Sequence, residues 1–260
     1  MASAIMSGLI KQGLSPACLY AIDPDEAARE CIFRKFDVRT GSCIDGALDG
    51  YDTIVLAVKP KILPRVCEDL APVMRDHLVI SIAAGVLASD IARWLRGYDR
   101  VVRAMPNTPA AIGMGVTGLA SLPAVTDTQR AIASALMKSV GDVVWMNDET
   151  QIDAVTAISG SGPAYVFYFI EALQAAAQQL GLNEKQGRAL ALATFAGSVQ
   201  LAAQSEESPE VLRQRVTSRG GTTAAAIGAF EDSNVHESIV KGVLAAHSRA
   251  IEMGREGGDR

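Results

Sequence analysis

The stretch Val216–Thr223 reads Val-Thr-Ser-Arg-Gly-Gly-Thr-Thr and gathers four hydroxyl side chains around the pair Gly220-Gly221. Glycines let a backbone approach a ligand with no Cβ in the way, and the free N–H groups that open a helix face an anion. The stretch could therefore cradle a small carboxylate. It reads equally as an ordinary helix start, with Thr222 or Thr223 as the N-cap. Two other positions could do chemistry. Lys59 lies where an apolar run ends and Pro60 opens a helix, and Asp23 closes another apolar run. An acid at such a strand end accepts from ribose hydroxyls and repels a 2′-phosphate.

The elements that must hold these residues fall into two rhythms. Up to about residue 150, short apolar runs rich in β-branched residues (Cys18–Asp23, Thr53–Val58, Leu78–Ala83, Val101–Ala104) alternate with helical ones (Pro60–Leu70, Ser89–Leu95), and Asp127–Val140 and Val143–Met146 read as a helix and a strand. Strands without polar alternation, separated by helices, imply a parallel sheet covered on both faces. From Gln151 the β signal stops. Pro163–Leu180, Glu184–Gln204, Pro209–Arg215, Thr222–Phe230 and Val235–Glu256 read as helices. The expectation is an α/β Rossmann-like, doubly wound domain over 1–150 and an all-α domain over 151–260. The run Tyr165, Val166, Phe167, Tyr168, Phe169, Ile170 and Leu173 is apolar nearly all round and must be enclosed. A second subunit is the favoured cover, giving a homodimer through the helical half; enclosure within its own domain is the alternative.

The totals narrow the function classes. The 260 residues carry a formal charge of -5, 49% are hydrophobic and 20% charged. The acidic balance argues against a nucleic-acid partner. No apolar run reaches the roughly 20 residues of a membrane span, Glu171 ending the best candidate. The opening residues have no basic region like that of a signal peptide. Cys18, Cys31, Cys43 and Cys67 show no metal spacing and suit a reducing cytoplasm. His77, His236 and His247 suggest neither a metal site nor a triad and read as structural or surface.

The first helix, Ala2–Gln12, sets Ile5, Met6, Leu9 and Ile10 on one stripe ahead of the strand ending in Asp23. In a dinucleotide-binding unit such an acid lies about 20 residues past a G-x-G-x-x-G loop. Counting back places that loop just before Met1. The expectation is that the first strand and its glycines are missing from the chain as written, which would weaken dinucleotide binding and activity. A helix-first α/β protein is the other reading.

Five stretches stand in order: Ala57-Val58-Lys59-Pro60, Ser81-Ile82-Ala83-Ala84-Gly85, Met105-Pro106-Asn107-Thr108-Pro109, Ser159-Gly160-Ser161-Gly162-Pro163-Ala164-Tyr165 and Thr217 to Thr223. Together they resemble the pyrroline-5-carboxylate reductases over essentially the whole chain. The resemblance implies reduction of 1-pyrroline-5-carboxylate to L-proline by NADPH or NADH. It also implies a Rossmann domain followed by a helical domain that interlocks with a second subunit, often within a larger ring.

It implies site residues too. Ala57, Val58, Lys59 and Pro60 would contact the dinucleotide, Ala83 and Ala84 would pass beneath the nicotinamide ribose, and Met1 matches the last residue of the family's G-x-G-N-M segment. Asn107 would hold the carboxamide or ribose, or brace its turn. Thr223 matches the threonine that bonds the imine nitrogen; it is too weak an acid to be the proton source, so it orients. Ser218 and the N–H groups of Gly220, Gly221 and Thr222 would hold the carboxylate, and Glu206 matches an acid near the nitrogen in some members. Arg219 stands where proline is usual, trading loop stiffness for positive charge. Family likeness favours NADPH, whereas Asp23 by its position favours NADH. The alternatives are a dehydrogenase of small hydroxy acids, using Lys185, Lys241, His236 or His247, and an inactive nucleotide-binding paralogue.

Overall fold

The computed structural model describes residues 1–258. They form two compact units: Met1–Ser161 together with the chain from Ala246 onward, and Gly162–Ala245. The first unit runs α1 (Ala2–Lys11), β1 (Tyr20–Ile22), α2 (Glu26–Phe36), β2 (Arg39–Gly41), β3 (Thr53–Leu56), α3 (Leu63–Leu70), β4 (Leu78–Ser81), α4 (Ala88–Trp94), β5 (Val101–Met105), β6 (Gly115–Ser121), α5 (Asp127–Lys138), β7 (Gly141–Trp145) and α6 (Gln151–Val155). A π-helical turn, Thr156–Gly160, follows α6. Then come α7 (Gly162–Gln179), α8 (Glu184–Gln204), α9 (Pro209–Arg215), α10 (Thr222–Asp232) and α11 (Val235–Gly258).

Short polar residues set the helix starts. The Asp25 carboxylate accepts from Ala27 N–H at 2.9 Å ahead of α2. Thr126 with Gln129, and Asn183 with Gln186, form capping boxes at α5 and α8.

β3, β4 and β5 pair in parallel, because each connection passes through a helix. β6 then pairs antiparallel with β5, and β7 parallel with β6. This antiparallel step differs from the all-parallel expectation. β6 was not anticipated, its run being interrupted by Gly115 and Gly118. Gly118 nonetheless gives Val155 a flat surface to lie on, since a Cβ there would sit 2.7 Å from its Cγ1. β1 and β2 make a separate parallel two-stranded sheet. β2 also went unforeseen, being three residues long and polar. Cys18 belongs to a 3-10 turn after Ser15, so β1 begins at Tyr20.

The apolar strands fill two core clusters. One gathers Leu56, Leu63, Cys67, Val79, Val86 and Ile91; the other joins Ile5 of α1 to Ile80, Val102, Leu119 and Met137. The second unit is built differently. Within Gly162–Ala245 only Ala177, Gly187 and Ala191 are buried. Phe167 is 59% exposed and Tyr168 72%. Enclosure of this helix by its own domain is therefore not what the fold does.

Burial pushes the Cys67 thiol up to about 12. Its folded value lies above the unfolded one, so the stabilising contribution is whole below about pH 9 and disappears as pH rises toward 12. Cys18, Cys31 and Cys43 are exposed. A thiol-reactive chromophore should label those three in the native protein at once, and Cys67 only after denaturant is added.

Candidate functional site

The parallel register decides which loops meet. Leu56 stands opposite Ser81, and Ser81 opposite Arg103, so β3, β4 and β5 end on one side of the sheet. Ala57–Pro60, Ala83-Ala84 and Asn107 thus leave neighbouring strands side by side, at the carboxyl ends where open α/β sheets bind ligands. Ala57 and Lys59 are exposed, Val58 and Pro60 half-buried. Ala83 is buried, and its N–H donates to Ser81 Oγ at 3.3 Å. Met1 is the N-cap of α1, a helix that packs on the Thr108–Ile112 turn beside Asn107.

Asn107 is braced on both sides. Its Nδ2 donates to the Ser159 carbonyl at 3.1 Å, and its Oδ1 accepts from Val116 N–H at 2.9 Å. An amide has two donor hydrogens and two acceptor lone pairs, so one of each is left. After β1, Asp23 Oδ1 accepts from Asp25 N–H at 2.9 Å, and Arg29 Nη1 donates to the carbonyls of Asp23 and Pro24 at 2.8 and 2.9 Å.

In the helical unit, Gly221 and not a threonine is the N-cap of α10, and no side chain caps it. The capping reading of Thr222 and Thr223 is thereby corrected: both are already helical. Among the described residues, no acceptor reaches the N–H groups of Thr222, Thr223 and Ala224, or bonds the Thr223 hydroxyl. Gly220 holds a left-handed φ of 73°. A Cβ on Gly221 would stand 2.6 Å from Ser218 Oγ, so the loop folds tightly there. Glu206 is exposed, while its neighbour Glu207 pairs with Arg215. Arg219 is exposed.

A cluster that sequence reasoning passed over lies behind β5. Arg103 is 1% exposed; its Nη2 meets Asp153 Oδ1 at 3.0 Å and its Nη1 meets Glu149 Oε1 at 3.3 Å. An arginine inside Val-Val-Arg-Ala-Met was the available signal, because a charge in a buried strand requires partners. Met105, on the same face two residues on, lies against Gly160, where a Cβ would meet its Cε at 2.6 Å. Arg103, Met105 and Asn107 thus anchor α6 and the π-turn in succession. His77 is structural: Arg75 N–H donates to its Nδ1 at 3.0 Å, and its Nε2 lies 3.3 Å from Leu48 O. The described residues contain no group of His, Cys, Asp and Glu able to hold a metal, and no helix long and apolar enough to cross a membrane.

A sheet with ligand loops at its carboxyl ends, followed by helices with an open N-terminal cradle, defines a dinucleotide-dependent oxidoreductase of the Rossmann type. The family description "pyrroline-5-carboxylate reductase dimerisation" matches residues 149–253, and "NADP oxidoreductase coenzyme F420-dependent" matches 1–85. The chain is 39% identical over 257 residues to a pyrroline-5-carboxylate reductase of Pseudomonas aeruginosa, covering 98% of this chain and 94% of the relative. The solved reductase of Coxiella burnetii superposes with a TM-score of 0.90 at 39% identity, over 97% of this chain and 94% of that one. That of Plasmodium falciparum, with NADP bound, gives 0.86 at 28% identity, over 97% and 94%. The chain belongs to the pyrroline-5-carboxylate reductase family. The hydroxy-acid dehydrogenase and inert-paralogue readings are not favoured by this outcome.

Replacing Asn107 by Ala leaves the part-buried Val116 N–H and Ser159 carbonyl without their partner. The expected loss is about 2 kcal/mol of unfolding free energy, read from chemical denaturation.

Proposed function

We propose that this protein reduces 1-pyrroline-5-carboxylate to L-proline with NADPH as the principal hydride donor and NADH as a second one. The observation that carries the substrate half is the uncapped start of α10, where three N–H groups and the Thr223 hydroxyl stand without internal acceptors. Ser218, Gly220 and Thr222 hold the substrate carboxylate there, with the helix dipole adding to the attraction. Gly221, whose N–H already donates to the Ser218 carbonyl at 3.0 Å, contributes close backbone approach and not the donor expected from sequence. Thr223, one residue further on, orients the imine nitrogen. The nitrogen takes its proton from solvent or arrives protonated, since a threonine hydroxyl is too weak an acid to supply it. Glu206 is assigned to stabilise the positive nitrogen.

The three adjacent loops fit a dinucleotide. Ala57, Val58, Lys59 and Pro60 border it, and the small side chains of Ala83 and Ala84 permit close approach of the nicotinamide ribose. Asn107 retains one donor and one acceptor for the carboxamide. Met1, at the head of α1, sits where pyrophosphates rest in such folds. The bound nicotinamide supplies a hydride to the imine carbon, and the protein contributes chiefly orientation. This division assigns the dinucleotide to residues 1–150 and the substrate and subunit contacts to 151–260.

The chain forms homo-oligomers through its dimerisation region, and the reading here is a homodimer made by the helical half, with a larger ring built from such pairs. The exposed Val166, Phe167, Tyr168 and Leu173 on α7 support it. A cytoplasmic location is proposed alongside, supported by three exposed and unpaired thiols.

Thr223→Ala should lower kcat about tenfold, the value of one lost hydrogen bond to the reacting nitrogen, with dinucleotide affinity unchanged. Loss of NADPH binding, followed by its fluorescence, would overturn the assignment. Tyr168→Asp should shift the protein to monomers in analytical ultracentrifugation; an unaltered sedimentation profile places the subunit contact elsewhere.

A further inference from the structure

The loop Ile82–Leu87 links β4 to α4 and carries Ala83 and Ala84. It starts from Ser81, whose hydroxyl accepts the Ala83 N–H. Its middle is constrained at Gly85, which has φ 68° and lies so close to α11 that a Cβ would come within 2.9 Å of Met253 Cβ. Its far end is held by a side chain from a distant part of the sequence. Glu149 Oε1 accepts the N–H of Ala88, the first residue of α4, at 2.6 Å. Leu87, at the N-cap of α4, offers no side-chain cap. The same Glu149 oxygen meets Arg103 Nη1, and Arg103 is pinned in turn by Asp153.

We infer that Glu149 is a positioning residue for the dinucleotide, fixing the Ala83-Ala84 loop by capping α4 while it is itself held by Arg103. A buried guanidinium in the sheet is a stationary reference, because moving it would strip a charge of its partners. Glu149 transfers that fixity to the end of the loop by one short, charge-assisted hydrogen bond. Asp153 differs in having no bond to the loop: it ties Arg103 of β5 to α6. The two carboxylates therefore have separable duties. The inference rests on the reading that Ala83 and Ala84 touch the nicotinamide ribose.

The test uses the full chain and reduced dinucleotide, with Kd from fluorescence titration, kinetic constants for pyrroline-5-carboxylate and thermal unfolding measured together. Glu149→Ala should raise Kd for NADPH about tenfold, as expected of a misplaced contact loop, and leave KM for the imine unchanged at saturating NADPH. Glu149→Gln keeps an oxygen for Ala88 N–H without the charge and should raise Kd by a smaller amount. Asp153→Asn keeps an oxygen for Arg103 and leaves the Glu149–Ala88 bond in place, so it should lower the unfolding temperature and raise Kd far less than Glu149→Ala does. Unchanged Kd in both Glu149 variants overturns the proposal, as does a rise in Asp153→Asn equal to that in Glu149→Ala. Should Glu149→Ala not fold, Glu149→Gln alone decides by the same criterion. Ala84→Leu checks the underlying reading separately: it should weaken NADPH binding by crowding the ribose. If it binds NADPH as the parent does, the loop is not a contact and the inference falls with that reading, whatever the Glu149 variants do.

Discussion

The ion cluster centred on Arg103 governs how the nucleotide-binding unit is put together. A guanidinium 1% exposed in the middle of a sheet is tolerable only with its carboxylates in place, and removing one partner of such a pair costs about 3–5 kcal/mol. Glu149 and Asp153 stand four residues apart, the spacing that lets both address one point from the start of a helix. The demand for both acids therefore decides where the chain, having left β7, must turn into α6. With α6 placed, Met105 meets Gly160 and Asn107 meets the Ser159 carbonyl, and the irregular turn between them is tied down at each step. Single π-turns within helices tend to mark functional places; this one falls where the two compact units divide.

Much of this was legible in the sequence, and the reasons for the remainder are specific. Apolar β-branched runs announced β3, β4 and β5 because buried parallel strands need no polar alternation. The helices of the second unit were readable from the loss of β-branched runs after Gln151, and α8 and α9 begin after Asn183 and Ser208, whose side chains cap them. β6 stayed hidden because Gly115 and Gly118 imitate a turn, although one glycine serves as the bed for Val155. Among site residues, the loops after β3, β4 and β5 were readable as strand ends. The state of the Thr222-Thr223 hydroxyls was not: a threonine before or inside a helix start gives the same local sequence, and only the backbone shows Gly221 taking the cap. The network of Arg103 escaped because its members are 46 and 50 positions apart, a separation at which local pattern carries no information.

The two units spend their apolar residues in contrasting ways. The sheet unit hides its valines and isoleucines in two clusters of its own. The helical unit leaves Val166, Phe167, Tyr168, Val199 and Leu201 largely uncovered and encloses little besides alanine and glycine. Its helices are specified by caps and by propensity, which define where they start and stop without supplying a core. A region matched as a dimerisation module has the composition such a role requires.

One consequence of that bare second unit concerns heat. When much of a fold's burial is deferred to association, mass action enters its stability, and the melting point becomes a property of the solution as well as of the polypeptide. Dilution would then act as a mild denaturant, and crowding enough copies into one compartment would toughen each of them.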